Sequence, residues 1–281
     1  MPLNIFLLSS ITMKFISVWL LLVFQLILKP SLGTLQAEPS IPPDQVRIST
    51  PVYSPDPSFV PSLGTYRYEV SWQGIPAAEA KLTVVKSDKK YHFTAVARSY
   101  KVVDLLYRLR YLAKGVIDET TMKPESLTVD HQENSRRKFY EVSFASDGRI
   151  RSERKKNGVL DEVYDFVTNN FTLDPFSAAF LSRALSWKVG DEKYLDVFNG
   201  KSRYAIKLKA IKRGKEFLQG KNREVFVISP FVLNLTKPKV RQKLRKASIF
   251  LTDDSKRDVL EIQSDVFIGK VRVKLTSFTP V

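Results

Sequence analysis

The sequence predicts a mainly β fold: a single domain of antiparallel meander strands forming a curved sheet or half-barrel with one central helix. Three observations predict it. Apolar and polar residues alternate with period two along several segments, the pattern of strands with one buried face. Turn signals such as Asp147-Gly148, Asn157-Gly158 and Asn199-Gly200 separate those segments, and such dipeptides tolerate the positive φ of tight hairpins. One segment in mid-chain carries helical spacing behind Asp174-Pro175. A sheet of ten or more strands tends to curl or split, and wrapping on the helix satisfies that tendency.

From Gly64, Tyr66, Tyr68 and Val70 alternate with Thr65, Arg67, Glu69 and Ser71. Trp72-Gln73-Gly74-Ile75-Pro76 then turns the chain, and Ala78, Ala80, Leu82 and Val84 alternate again. Ser87 to Lys90 is the next turn and Tyr91 to Arg98 the next strand. The stretch Val102 to Leu112 fits both periods, and it reads as a short helical turn leading into a strand that runs to about Asp118. Strands follow near 125–134, 137–146 and 148–156. Asp174 suits an N-cap and Pro175 the first helical position, and Phe176, Ala179, Phe180, Arg183 and Ala184 continue at helical spacing. Strands resume near 193–198, 202–211, 214–219, 223–229, 246–252, 257–264 and 266–276. Phe231 to Leu235 reads as an apolar loop tip.

Residues 15–28 form an apolar run between Lys14 and Lys29. Fourteen residues are too few to span a bilayer, which takes about 20, and the layout is that of a secretory signal. Residues 1–33 are therefore expected to be a cleaved signal peptide, with Met13 as an alternative start. Residues 34–63 follow as a proline-rich tether, ordered where it lies on the domain, with Pro39, Pro42, Pro43, Pro51, Pro55, Pro57 and Pro61. A proline-rich edge segment of the fold, docked through Val52, Tyr53, Phe59 and Val60, is the alternative. The β-rich domain is 64–281.

Composition excludes several chemistries. The chain has no Cys and two His, which rules out disulfides, thiolate catalysis and cysteine-held metals. No nucleotide-cradling glycine loop and no Gly-x-Ser-x-Gly occur, and no cofactor is expected. His131 reads as a solvated strand end. The net charge of +16 is gathered in runs, the densest holding Lys237, Lys239, Arg241, Lys243, Arg245 and Lys246 beside the apolar 231–235. A cationic segment beside an apolar tip suits an anionic membrane or lipopolysaccharide surface. Nucleic acid is not expected, because the export signal and the absence of base-reading motifs argue against it.

The candidate ligand-binding residues are Trp72, Asp174, Arg183, Asp253, Asp254 and Arg257. Asp253 and Asp254 read as a charged hairpin turn capping amides and pairing with Arg257, or as carboxylates for a cation or glycan. Asp174 reads as an N-cap, and Arg183 as the partner of a sheet carboxylate.

The order of motifs resembles a known family. Tyr66-x-Tyr68-Glu69-Val70-Ser71-Trp72-x-Gly74-Ile75-Pro76-Ala77 opens the domain, and Asp174-Pro175-Phe176-Ser177 with Arg183 follows. Gly190-Asp191 leads to Val197-Phe198-Asn199-Gly200-Lys201, and Leu251-Thr252-Asp253-Asp254-x-x-Arg257 and Ile268-Gly269 close it. This series resembles the bacterial envelope family catalogued as domain of unknown function 3108, over essentially all of 64–281. The resemblance implies an exported, β-rich protein of a Gram-negative-type bacterium, periplasmic or outer-membrane-associated, and no particular activity. Asp258 stands where the family pattern carries an apolar residue or proline. The curved sheet around a helix is also similar, in fold only, to periplasmic lipoprotein carriers.

The leading expectation is thus a non-enzymatic binding protein, with an amphiphile or glycan on its concave face and basic loops towards anionic envelope. The alternatives are a glycan-acting enzyme using Asp carboxylates and a structural partner in an envelope assembly.

Overall fold

Two meanders share one sheet. The computed structural model of the chain describes residues 41–237, 244–266 and 269–281. The expected signal 1–33, residues 34–40 of the tether, Lys239, Arg241, Lys243 and the side chain of Arg245 lie outside the described residues. The first meander holds β1 (Gly64–Trp72), β2 (Ile75–Ser87), β3 (Lys90–Ser99), β4 (Leu109–Asp118), β5 (Pro124–Glu133), β6 (Arg136–Phe144), β7 (Arg149–Lys156) and β8 (Val159–Val167). The second holds β9 (Thr172–Leu173), β10 (Glu192–Phe198), β11 (Arg203–Leu218), β12 (Lys221–Asn234), β13 (Leu244–Thr252), β14 (Val259–Val266) and β15 (Gly269–Pro280). The helical turn α1 (Lys101–Asp104) joins β3 to β4, and α2 (Pro175–Ala184) follows β9.

The spatial order is β8-β7-β6-β5-β4-β3-β2-β1-β15-β14-β13-β12-β11-β10-β9. The first and last strands therefore pair in the middle, from Gly64–Pro280 to Trp72–Val271, with a bulge between Arg67 and Tyr68. Neighbouring strands are antiparallel except the short β9–β10 pair, which is parallel. The open edges β8 and β9–β10 are brought face to face by the curl. Phe166 of β8 meets Phe198 of β10 edge-on at 5.4 Å between ring centroids, and Ser152 Oγ of β7 donates to the Gly200 carbonyl at 2.7 Å. The barrel closes through side chains rather than a ladder. This is the curved sheet with a central helix that the alternation predicts.

Helix α2 fills the concave side. Eight of its ten residues are buried, so it lacks the polar stripe of a surface helix. Phe176 stacks on Phe93 at 4.3 Å and Phe180 packs on Tyr91 at 4.9 Å, in one continuous core that joins both meanders. Gly115 of β4 makes room for this stack. A Cβ there would lie 2.8 Å from the Ser126 carbonyl oxygen and against the Phe93 ring. Gly115→Ala is expected to cost about 1–3 kcal/mol, the usual range for overpacking, read as a lower urea midpoint with unchanged slope.

Residues 41–63 lie along the domain. Ile41 N donates to Thr236 O, Asp56 N to Ala184 O and Val60 N to Ser255 O. Tyr53 Oη accepts from Tyr194 N at 3.0 Å, and Phe59 packs on Phe180 at 6.0 Å. Of the residues read as docking, Tyr53 and Phe59 lie on the domain, while Val52 and Val60 are exposed and 41–63 adds no strand to the sheet.

Several sequence expectations need correction. A strand at 159–167 adds to those read near 125–156. The two strands read at 202–211 and 214–219 are one, β11, with a bulge between Ala210 and Lys212. The apolar tip at 231–235 is largely strand, since β12 runs on to Asn234. His131, read as a solvated strand end, is buried at 1% exposure, and burial pushes its imidazole down to about 3.

Candidate functional site

Arg183 and Arg257 form a reciprocal knot at the C-terminal end of α2. The last carbonyls of a helix have no partner within it. Arg257 reaches two of them, donating from Nη1 to Arg183 O at 3.2 Å and to Leu185 O. Arg183 returns the contact, donating from Nε to Arg257 O at 2.8 Å and from Nη2 to Lys256 O at 3.0 Å. Each guanidinium also has a carboxylate. Arg183 pairs with Asp258 at 2.8 Å, and Arg257 with Asp56 at 2.8 Å. Asp258 further accepts from Tyr66 Oη at 2.7 Å and Ser62 Oγ at 3.1 Å. Asp258 is thus the ion-pair partner of Arg183. Hydrogen bonds from Ser186 and Arg257 hold the Asp56 carboxyl well below the usual range, and burial pushes the Tyr66 hydroxyl up to about 12. Arg183 is ringed by Phe59, Tyr66 and Phe180, with centroids 5.4–5.9 Å from its guanidinium.

Beside Arg183 a cavity of about 70 Å³ lies between α2 and the sheet, lined by Leu82, Phe93, Phe176, Phe180, Val259 and Val273. Sites for drug-sized ligands run from roughly 300 to 1,000 Å³. The concave face expected to take an amphiphile or glycan is therefore occupied by the helix. An open polar groove of about 800 Å³ follows the seam of the barrel, between residues 44–49 and 167–170 with Arg203 at its floor.

The remaining sequence candidates stand apart from the knot. Asp174 caps α2, accepting from Phe176 N at 2.6 Å, Ser177 N at 3.1 Å and Ser177 Oγ. It has no solvent exposure, and burial raises its carboxyl to about 6. It is separated from the knot by the ten residues of α2, about 15 Å at the helical rise. Asp253 pairs outward with Arg213 at 2.7 Å. Asp254 caps its own turn, accepting from Lys256 N at 2.9 Å, Arg257 N at 3.0 Å and Thr252 Oγ1 at 2.7 Å. The guanidinium of Arg257 goes to Asp56, a residue that sequence reasoning did not single out, rather than to either aspartate. Asp174 is sealed away from both, so no pair of these carboxylates faces a common cleft. Trp72 closes β1 at the opposite end, partly buried against the core.

That opposite end is a rim of turns, and the sequence did not reveal it as one surface. Turns from distant parts of the chain are stitched side by side. Gln73 N donates to Lys270 O, Tyr100 N to Ala77 O, Asn134 N to Arg108 O and Asn157 N to Arg137 O, all at 2.8–3.0 Å. Asn134 and Asn157, both at positive φ, return acceptors to Arg108 N and Arg137 N. The turns at 73–76, 100–108, 133–137, 155–158 and 269–270 bring seven exposed cations to this rim: Lys101, Arg108, Arg136, Arg137, Lys155, Lys156 and Lys270. Their two acids are engaged: Asp104 holds Arg110, and Glu133 accepts from Tyr107 Oη at 2.5 Å; of the seven cations, Arg137 pairs with Asp130 of β5. Across the barrel, the turns at 88–90, 118–125 and 145–149 carry four cations and five acids. Lys237, just past the end of β12, and the exposed Lys246 in β13 stand at the same end of the sheet.

No helix among the described residues is long and apolar enough to cross a membrane. No curated protein matches the sequence. The crystal structure of a beta-barrel-like protein of domain of unknown function DUF1849 from Brucella abortus is similar in fold, with a TM-score of 0.57 at 10% identity, covering 79% of this chain and 99% of that one. Residues 67–276 match the protein family of unknown function DUF3108. That span runs from β1 to β15 and takes in both meanders, the helix and the two arginines of the knot, and the chain belongs to the DUF3108 family.

Proposed function

We propose that this chain is an exported, non-enzymatic protein of the cell envelope that binds anionic amphiphiles through its cationic rim. The export part rests on the apolar run 15–28 between lysines. The binding part rests on one observation, the concentration of seven exposed cations against two acids on the rim turns, whereas the turns at 88–90, 118–125 and 145–149 carry four cations and five acids. Each basic residue near an anionic membrane surface adds about 1 kcal/mol, so such a cluster supports adsorption without any pocket. The filled interior favours a ligand met at the surface over one carried inside. The separation of the buried Asp174 from Asp253 and Asp254 gives no support to the glycan-acting alternative, which needs two carboxyls within about 5–10 Å across a cleft.

Cosedimentation with phosphatidylglycerol-containing vesicles tests the reading. Arg108→Ala with Lys156→Ala is expected to weaken binding about thirtyfold, from two lost surface charges. Binding should fall steeply between 50 and 500 mM NaCl as screening shortens. Equal binding to neutral phosphatidylcholine vesicles, or no change in the double variant, would rule the rim out.

A further inference from the structure

The α1 turn is built to hold apolar side chains out of the fold. Val102, Leu105 and Leu106 are 78%, 85% and 70% exposed. Their i, i+3, i+4 spacing places them on one face of the turn, while Val103 and Tyr107 face the core. The turn is firmly held. Asp104 N donates to Tyr100 O, and Leu106 N and Tyr107 N both donate to Val103 O at 2.8–3.0 Å. Leu109 N donates to Ser99 Oγ at 2.8 Å. The one acid of the turn, Asp104, is neutralised by Arg110 and bonded by Ser99 Oγ. Ile75, 63% exposed, stands on the neighbouring turn, which Tyr100 N ties to this one through Ala77 O. Lys101 and Arg108 flank the apolar face and are exposed.

A fixed apolar face inside a cationic rim fits a surface that is anionic outside and apolar beneath. We infer that Val102, Leu105 and Leu106 form a wedge that enters the acyl boundary of an anionic lipid bilayer, with Lys101 and Arg108 at the headgroups. This rests on the reading of the rim as membrane-facing. Electrostatics then supplies the approach, and the wedge supplies the part of the binding that salt does not remove.

The chain has no cysteine, so single-site labelling is clean. Leu105→Cys carrying an environment-sensitive NBD group would be mixed with vesicles of phosphatidylglycerol and phosphatidylethanolamine. Thr120→Cys, exposed at the far end of the barrel, is the control. A severalfold rise in emission at 105, quenched by spin-labelled acyl chains and absent at 120, is expected. Leu105→Ser with Leu106→Ser should lower binding at least tenfold at 500 mM NaCl and much less at 50 mM. Vesicle binding with no change at position 105 would overturn the wedge and leave the rim reading standing. No vesicle binding by the unmodified chain at low salt would overturn both. A wild-type dimer that the double serine variant converts to monomer would make the turn a self-association surface and overturn the bilayer assignment.

Discussion

Replacing Arg203 by Ala is expected to destabilise the fold by about 3–5 kcal/mol, the cost of stranding a buried charge. Arg203 is 3% exposed and its partner Asp196 is fully buried. The guanidinium stands at the seam of the barrel and touches all the parts that meet there. From β11 it pairs with Asp196 of β10, with Nε 3.3 Å from Oδ1. Its Nη1 donates to Pro43 O at 3.3 Å and Val46 O at 3.2 Å in the N-terminal segment. Its face lies 5.9 Å from the Phe166 ring centroid of β8. Asp196 in turn accepts from Asn170 Nδ2 at 2.8 Å and Thr172 Oγ1 at 2.5 Å, and Asn170 Oδ1 accepts from Thr50 N at 3.0 Å. The two sheet edges share no ladder, so this polar clasp holds the N-terminal segment across their junction.

Two observables separate that role from ordinary packing. Tryptic cleavage at the exposed Arg47 should accelerate in Arg203→Ala under native conditions, because the carbonyls of Pro43 and Val46 lose their donor. The double variant Arg203→Ala with Asp196→Ala should be more stable than the single one, because the stranded carboxylate is gone. Additive losses in the double variant would place the energy in packing and not in the ion pair.

Much of this fold was legible because local signals and tertiary needs agree. Asn157-Gly158 demanded a tight turn, and both residues adopt positive φ. Asp174-Pro175 announced a helix that starts there. The failures have physical causes. The strand read near 223–229 runs on through Pro230 as β12. The β12–β13 register stops at Ile228–Ile249, so Pro230 lies where β12 pairs only with β11, a position that tolerates a missing amide. Strand β8 carries Val159, Val163 and Val167 outward between acids, so both faces read as mixed and the alternation is blurred. Gly214 and the bulge before Lys212 break the period of β11 without ending it. The rim was the least legible feature. Its cations come from four turns spread over much of the chain, and only the strand order makes them neighbours. The same holds for the knot, where Asp56 and Arg257 meet across 201 positions of sequence.

Asp174→Asn is expected to flatten the pH dependence of stability between pH 4 and 6 and to raise stability at pH 7.5. The Asp174 carboxyl sits at about 6 in the fold against 3.8 for the free group, because burial disfavours its charge. The folded chain therefore binds this proton more tightly than the unfolded chain. The stabilisation from that proton is complete below about pH 4, is lost as pH rises towards 6, and is absent above, a difference of about 3 kcal/mol. Asn caps helices about as well as Asp, and its carbonyl can accept from Phe176 N and Ser177 N without a buried charge. Asp174→Ala should instead lose about 2 kcal/mol at pH 7.5, because the cap disappears and no water reaches the amides of an enclosed helix end. Urea melts of the three proteins at pH 4.5 and 7.5 separate the cases. Parallel profiles for Asp174→Asn and wild type would mean that Asp174 stays ionised throughout, held by the α2 amides and the helix dipole. The helix inside the barrel would then be anchored by charge at its first turn, as it is by Arg257 at its last.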